Sequence, residues 1–318
     1  MAEPLRPMST GQLLDHTFTL YRQNFLLFVG IATVGPAAGV IFQLVTVGTN
    51  VGSPFSASQR MATSAAFARL GFAVIFGYLA MLAGLAISHA ATVKAVAAVH
   101  LGRETTVAGA YKALGGRIWS LFVTLLWMAL WAGLWMTLAV LVVVAVMVVV
   151  VMVIAAVARG APGGAAAIAG GIAGFGAVIL VFVAFIAIYV RYALAIQAWA
   201  VENLGPRASL KRSIFLSKGS RWRVVVIYLI FFLLAAILGI GLNAIAVAAG
   251  TMLHNRIAAA VLVYLAGFIA GALTGPLATI GLSLLYYDER VRKEAFDLQL
   301  MMSSLDAPGL PSAAPAQI

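Results

Sequence analysis

Long uncharged apolar blocks alternate with short polar stretches along this chain. Six blocks stand out, at roughly 25–47, 70–93, 119–158, 166–200, 222–250 and 257–286. Runs of about 18 or more apolar residues read as transmembrane helices. The bilayer core offers the backbone no water to bond, so each block is predicted to be helical. The polar breaks are distinct: 48–60 is rich in Gly, Ser and Asn, 159–165 reads Arg-Gly-Ala-Pro-Gly-Gly-Ala, and 251–256 holds His254, Asn255 and Arg256. Two longer connections, about 100–118 and 202–223, are basic.

The pattern predicts an all-α polytopic integral membrane protein of about six transmembrane helices. A single transmembrane domain over 1–306 is expected, then a tail, 307–318, whose Pro, Ala, Gly and Ser cannot bury a core and should be disordered. The first 24 residues contain Glu3 and Asp15, and the first apolar run begins at Phe25, so no cleavable signal is expected.

Two blocks are too long for one crossing. Forty helical residues reach ~60 Å at ~1.5 Å per residue, against a hydrocarbon core of ~30 Å. The valine-rich run 140–157 belongs in the core, which places the third crossing near 136–158 and leaves 119–135 at an interface. Trp119, Trp127, Trp131 and Trp135 fit that placement, because Trp concentrates at headgroup level. The fourth crossing then falls near 168–190 and brings Arg191 to the same interface.

Composition agrees with this class. Of 318 residues, 64% are hydrophobic and 9% charged, with mean hydropathy +1.07; a soluble domain carries ~25% charge. The net charge is +11, so where the cations sit matters. Arg6, Arg22, Lys94, Arg103, Lys112, Arg117, Arg191, Arg207, Lys211, Arg212, Lys218, Arg221, Arg223, Arg290, Arg292 and Lys293 fall on one side of the predicted bilayer, and Arg60, Arg69, Arg159 and Arg256 on the other. By the positive-inside rule the richer side, with both termini, is cytoplasmic. There is no Cys, which excludes disulfides, thiolate metal sites and a Cys nucleophile.

Short amphipathic segments precede the crossings in pairs. Leu14, Phe18, Tyr21 and Phe25 share one spacing, as do Val107, Tyr111, Leu114 and Ile118; Leu210, Ile214, Ser217 and Arg221 follow it with a weaker apolar character. Helix-start residues Ser9 (with Gln12 as a capping box), Thr106 and Ser209 lie 97 and 103 residues apart. Three repeat units, about 9–100, 106–202 and 209–300, are one reading; ordinary amphipathic linkers are the other. After the last crossing Val291, Ala295, Leu298 and Met302 predict a final interfacial helix over 288–302.

Each candidate site carries two readings. Arg207, Lys211, Arg212, Lys218, Arg221 and Arg223 form a basic run without an acid, suited to anionic headgroups or to fixing topology alone. Arg191, between Tyr189 and Tyr192, is an interfacial anchor in the placement above, or a buried functional charge if the crossing runs 177–200. Trp127, Trp131 and Trp135 are an interfacial belt or a stacking face. His89 has no second ligand at metal spacing and reads as a packing residue. Gly267, Gly271 and Gly275, with Gly170 and Gly174, permit close helix approach, and Gly35-Pro36 and Gly275-Pro276 predict kinks. No catalytic motif and no cofactor site is found.

The two ends carry a resemblance. Leu5-Arg6-Pro7-Met8-Ser9-Thr10-Gly11-Gln12-Leu13-Leu14-Asp15, with Phe18, Leu20-Tyr21-Arg22 and Asn24-Phe25, opens the chain. Leu285-Tyr286-Tyr287-Asp288-Glu289-Arg290-Val291-Arg292-Lys293-Glu294-Ala295-Phe296-Asp297-Leu298 closes the last crossing. Both resemble a bacterial and archaeal group of uncharacterised multi-pass proteins likened to the membrane domain of glycerophosphoryl diester phosphodiesterase. Where that group has Gly in the closing motif, this chain has Ala295. The resemblance implies the membrane fold without the soluble catalytic barrel, whose His-Arg-Gly start is missing here. The expected function is therefore non-enzymatic, exercised in the cell membrane through the basic cytoplasmic interface. It binds anionic lipid or docks a partner there; a small-solute transporter or channel is the alternative. The expected partners are the lipid bilayer and its anionic lipids, a second copy or another membrane protein, and no nucleic acid.

Overall fold

A computed structural model describes residues 7–48, 64–157 and 163–295, and all regular structure among them is helical. In chain order the elements are α1 (Thr10–Gln23), α2 (Phe25–Ala32), α3 (Val34–Gly48), α4 (Ser64–His100), α5 (Val107–Lys112), a 3-10 turn (Gly115–Arg117), α6 (Ile118–Val157), α7 (Gly163–Tyr192), α8 (Ala195–Val201), α9 (Pro206–Ser217), α10 (Arg221–Met252) and α11 (Arg256–Glu294). Among the described residues six stretches are long and apolar enough to cross a membrane: Phe25–Gln43, Ile75–His100, Gly115–Ile154, Ile168–Val201, Arg221–Met252 and Ala258–Glu294. The chain is an all-α polytopic membrane protein.

The long helices pair as three antiparallel hairpins, α3 with α4, α6 with α7, and α10 with α11. The short helices α1, α5, α8 and α9 fill one end of the bundle. Helix α11 lies at the centre and touches α1, α2, α3, α4, α8, α9 and α10. The fully buried side chains collect at that filled end: Leu13, Phe28, Ile31, Leu121, Leu194, Trp199, Leu216, Ile227, Ile280 and Tyr286. Along α6–α7, by contrast, no residue is buried from 125 to 154 or from 168 to 189. That hairpin offers its valines to lipid.

Local chemistry explains three helix starts. Ser9 accepts from the Gln12 amide and Gln12 reaches back to Ser9, the predicted capping box. Thr106 caps α5 through the Gly109 amide at 3.0 Å. The third predicted start is corrected: α9 begins at Pro206, whose fixed φ suits the first helical position. Ser209 lies inside it, donating to Pro206 O at 2.8 Å. The separate final helix over 288–302 is also corrected. Helix α11 runs unbroken from the crossing to Glu294, and Ala295 then takes φ 48°. Leu298, Met302 and the tail 307–318 lie outside the described residues.

Of the two predicted kinks, the first crossing breaks at Thr33, between α2 and α3, with Pro36 in the first turn of α3. The carbonyl of Ile31 at this break accepts from Tyr111 Oη of α5 at 2.6 Å and Ser88 Oγ of α4 at 3.0 Å. Pro276 sits within α11 without ending it, and Tyr21 Oη of α1 donates to Leu273 O nearby at 2.7 Å. Ser213 and Ser217 of α9 likewise donate to Arg191 O at the end of α7. Each short amphipathic helix thus bonds a carbonyl in a hairpin other than the one it leads into.

The small-residue motifs divide. A Cβ on Gly271 would stand 2.9 Å from Pro36 Cγ, so this glycine lets α3 and α11 meet. Around Gly170 and Gly174, as around Gly267 and Gly275, nothing among the described residues lies within 4 Å of such a Cβ, so the predicted approach is made at Gly271 and not at these four.

Candidate functional site: the basic end of the bundle

Four carboxylates organise this end. Asp288, with its side chain fully buried, receives Arg223 Nη1 at 2.5 Å, Arg292 Nε at 2.9 Å and the Met8 amide at 2.6 Å. Glu289 pairs with Arg223 at 3.0 Å and Lys293 at 3.1 Å. Arg223 and Arg292 also donate to Met8 O at 2.9 and 2.7 Å. Glu202 takes Arg212 at 2.7 Å and the Tyr286 hydroxyl, with Arg290 at 3.5 Å. Glu294 takes both Arg212 and Arg290. The hydrogen bonds that Arg212 donates to Glu294 and then Glu202 raise its already high pKa.

The result is a clasp. It ties the segment before α1 and the start of α10 to the last turns of α11, and the middle of α9 to those turns and to Glu202 after α8. Lys293 Nζ closes the C-terminus of α9, donating to Leu216 O at 2.5 Å and Lys218 O at 2.8 Å, where freed carbonyls favour a cation. Arg117 fixes the turn after α8 through Asn203 Oδ1, Asn203 O and Leu204 O at 2.6, 2.8 and 3.0 Å. The opening and closing segments, so far apart in sequence, meet here through Met8 and Asp288.

Among the six predicted lipid-binding cations, the structure separates two from four. Arg212 and Arg223 turn inward and are spent in the clasp. Arg207, Lys211, Lys218 and Arg221 are exposed. Helix α9 explains the division: Ser209, Leu210, Ser213, Leu216 and Ser217 form its buried face, and Arg207, Lys211 and Phe215 follow at i, i+4 and i+8 on the outer one. Phe215 is 53% exposed and Trp222 is 73% exposed, which interleaves aromatics with the cations. The acids of the clasp were invisible to a reading of the run 207–223 alone, since each lies on another segment. One signal was local: Asp288–Arg292, Glu289–Lys293 and Arg290–Glu294 all stand at i, i+4.

The tryptophan stripe of α6 meets two arginines. Arg207 lies over Trp127 at 4.4 Å, and Arg191 over Trp135 at 5.9 Å. Trp131 and Trp135 are exposed, as is Tyr189. His89 joins no group of three metal-binding side chains among the described residues. The chemistry available at this end is electrostatic: fixed cations, planar guanidinium groups on aromatic rings, and a rigid support beneath them.

Comparison with protein-family models, with curated proteins and with solved structures gave no match.

Proposed function

We propose that this integral membrane protein is non-enzymatic and works through its basic end, where the outer face of α9 and the start of α10 hold anionic lipid headgroups. The observation that carries the reading is the separation of the six cations. Arg212 and Arg223 are neutralised by carboxylates, while Arg207, Lys211, Lys218 and Arg221 face outward beside Phe215 and Trp222. A basic residue near an anionic surface contributes ~1 kcal/mol, so four of them supply about 4 kcal/mol. Aromatics set among them suit the boundary between headgroups and chains. The sixteen-to-four division of basic residues supports a cell-membrane protein with this end and both termini in the cytoplasm. The resemblance of its ends supports a membrane domain acting without a catalytic barrel.

The deep polar groups favour a docking surface over a solute path. Asn243 donates to Gly239 O, Thr274 to Ala270 O and Thr279 to Gly275 O, each within its own helix. The hydroxyl donors of both threonines are thereby committed.

The test replaces Lys211, Lys218 and Arg221 together by Gln and leaves Arg212 in place, because Arg212 holds the clasp. Co-purifying phosphatidylglycerol is measured as salt is raised. The variant should retain less lipid at low salt and show a flatter salt dependence, since exposed charges are screened over ~8–10 Å. Equal retention at every salt concentration refutes the reading.

A further inference from the structure

We infer that Arg191 is a binding residue for the phosphate ester of a membrane phospholipid, with its guanidinium seated on Trp135 at the edge of the hydrocarbon core. The inference rests on the proposed placement of the basic end at the membrane interface, and it names a discrete site there.

Three observations lead to it. First, Arg191 Nε is buried and has no hydrogen-bond partner among the described residues. A planar guanidinium offers five donors and normally fills them. Second, the four acids of the clasp are already committed. Glu202, Asp288, Glu289 and Glu294 are shared among Arg212, Arg223, Arg290, Arg292 and Lys293, and no ion pair to Arg191 is formed among the described residues. Arg191 is thus left without a carboxylate partner among the described residues, and its guanidinium is open to an anion from outside.

Third, depth selects the anion. From Trp135 to Val157, α6 rises about 33 Å at 1.5 Å per residue, close to the ~30 Å hydrocarbon core. Trp135, and with it Arg191, therefore stands where the core begins. Trp127, under Arg207, lies about 12 Å farther out along the same helix. The exposed rings of Trp131, Trp135 and Tyr189 mark the boundary around it. A cation at this depth is costly without a counter-charge. A lipid phosphate resides at this level already. A soluble phosphate would have to shed its water to reach it, and a carboxylate of a soluble protein would stop at the outer cations. Arg matches a phosphate with paired N–H donors, which Lys cannot do.

The experiment uses the full chain in detergent and follows quenching of Trp fluorescence by phosphatidylglycerol with brominated acyl chains. Parallel titrations use unbrominated diacylglycerol, which lacks the phosphate, and inorganic phosphate as competitors. In the wild-type protein, quenching should saturate, phosphatidylglycerol should compete, and diacylglycerol should not. Arg191→Gln should weaken the saturable component by about tenfold, the loss expected for a charged hydrogen bond, and Arg191→Lys should fall between the two. Trp135→Phe should remove part of the quenched signal. If Arg191→Gln melts early, Arg191→Lys and Trp135→Phe carry the comparison in its place. The variant of Lys211, Lys218 and Arg221 should lose salt-dependent retention and keep the saturable component, so the surface reading and this site fail separately. Wild-type affinity in Arg191→Gln, or equal competition by diacylglycerol, overturns the site. Displacement by millimolar inorganic phosphate overturns the lipid as its source.

Discussion

Replacing Asp288 by Asn removes the charge on which the clasp converges and leaves the shape nearly unchanged. The carboxylate is fully buried and accepts from Arg223, Arg292 and the Met8 amide. Taking one partner from a buried ion pair costs about 3–5 kcal/mol, because the other charge stays behind uncompensated. Here Arg223 keeps Glu289 at 3.0 Å, and Arg292, with its side chain 41% exposed, can be hydrated. The loss should therefore lie nearer 2–4 kcal/mol. At about 2–4 °C per kcal/mol, the midpoint of thermal unfolding in detergent should fall by between about 4 and 16 °C. Arg292→Gln is the internal control. It removes an exposed partner, worth about 0–1 kcal/mol as an ion pair, and should move the midpoint far less. A double-mutant cycle between Asp288→Asn and Arg223→Gln should give a coupling of about 1–3 kcal/mol, as contacting residues do. An Asp288→Asn midpoint within error of wild type, or equal losses from Arg292→Gln and Arg223→Gln, would refute a clasp centred on Asp288.

Gly271→Leu should lower the yield of folded protein, because its side chain would enter Pro36, whereas Gly174→Leu should be neutral, having open space on that face; size-exclusion profiles of the two compare them directly. Truncation after Asp306 should be harmless. Truncation after Tyr287 removes Asp288, Glu289 and Glu294, and should abolish a monodisperse peak; similar profiles for the two truncations would contradict the structural role of the last turns of α11. Reporter fusions after Gly102, after Gly205 and at the C-terminus should read cytoplasm, and fusions near Ser53, Gly163 and Asn255 the opposite side; two exchanged sites would defeat the orientation.

Crossings were legible because a single local quantity, the length of an uncharged run, decides them. Within the described residues α6 covers the predicted third crossing as far as Val157. Caps were legible where the bonding is local, as at Ser9 and Thr106, and misread at Ser209, where Pro206 sets the start instead. The ion pair Glu289–Lys293 could be read from its spacing, but Arg212–Glu294 and Arg223–Asp288 could not, since 82 and 65 residues separate the partners. That distance is why the run 207–223 looked uniformly free of acids. Its helix presents two faces to different surroundings, and only packing tells which cation meets which.

The same packing argues for where function resides. Rigid, buried structure is concentrated at the basic end, where Trp199, Tyr286 and Phe28 lie among the ends of the long helices. Toward the other end, α6 and α7 touch little beyond each other, and their exposed valines need only lipid. A recognition surface requires side chains held in fixed relation, because each loose rotamer costs affinity on binding. The clasp meets that requirement: by tying α9 to α11 through Arg212 and Lys293, it fixes the helix whose outer face carries Arg207, Lys211 and Phe215. Charge is thus sorted by role. Cations facing acids hold the support, and Arg207, Lys211, Lys218 and Arg221 look outward from it. Breaking the first group should unfold the end, while neutralising the second should leave the fold intact and change only what it binds.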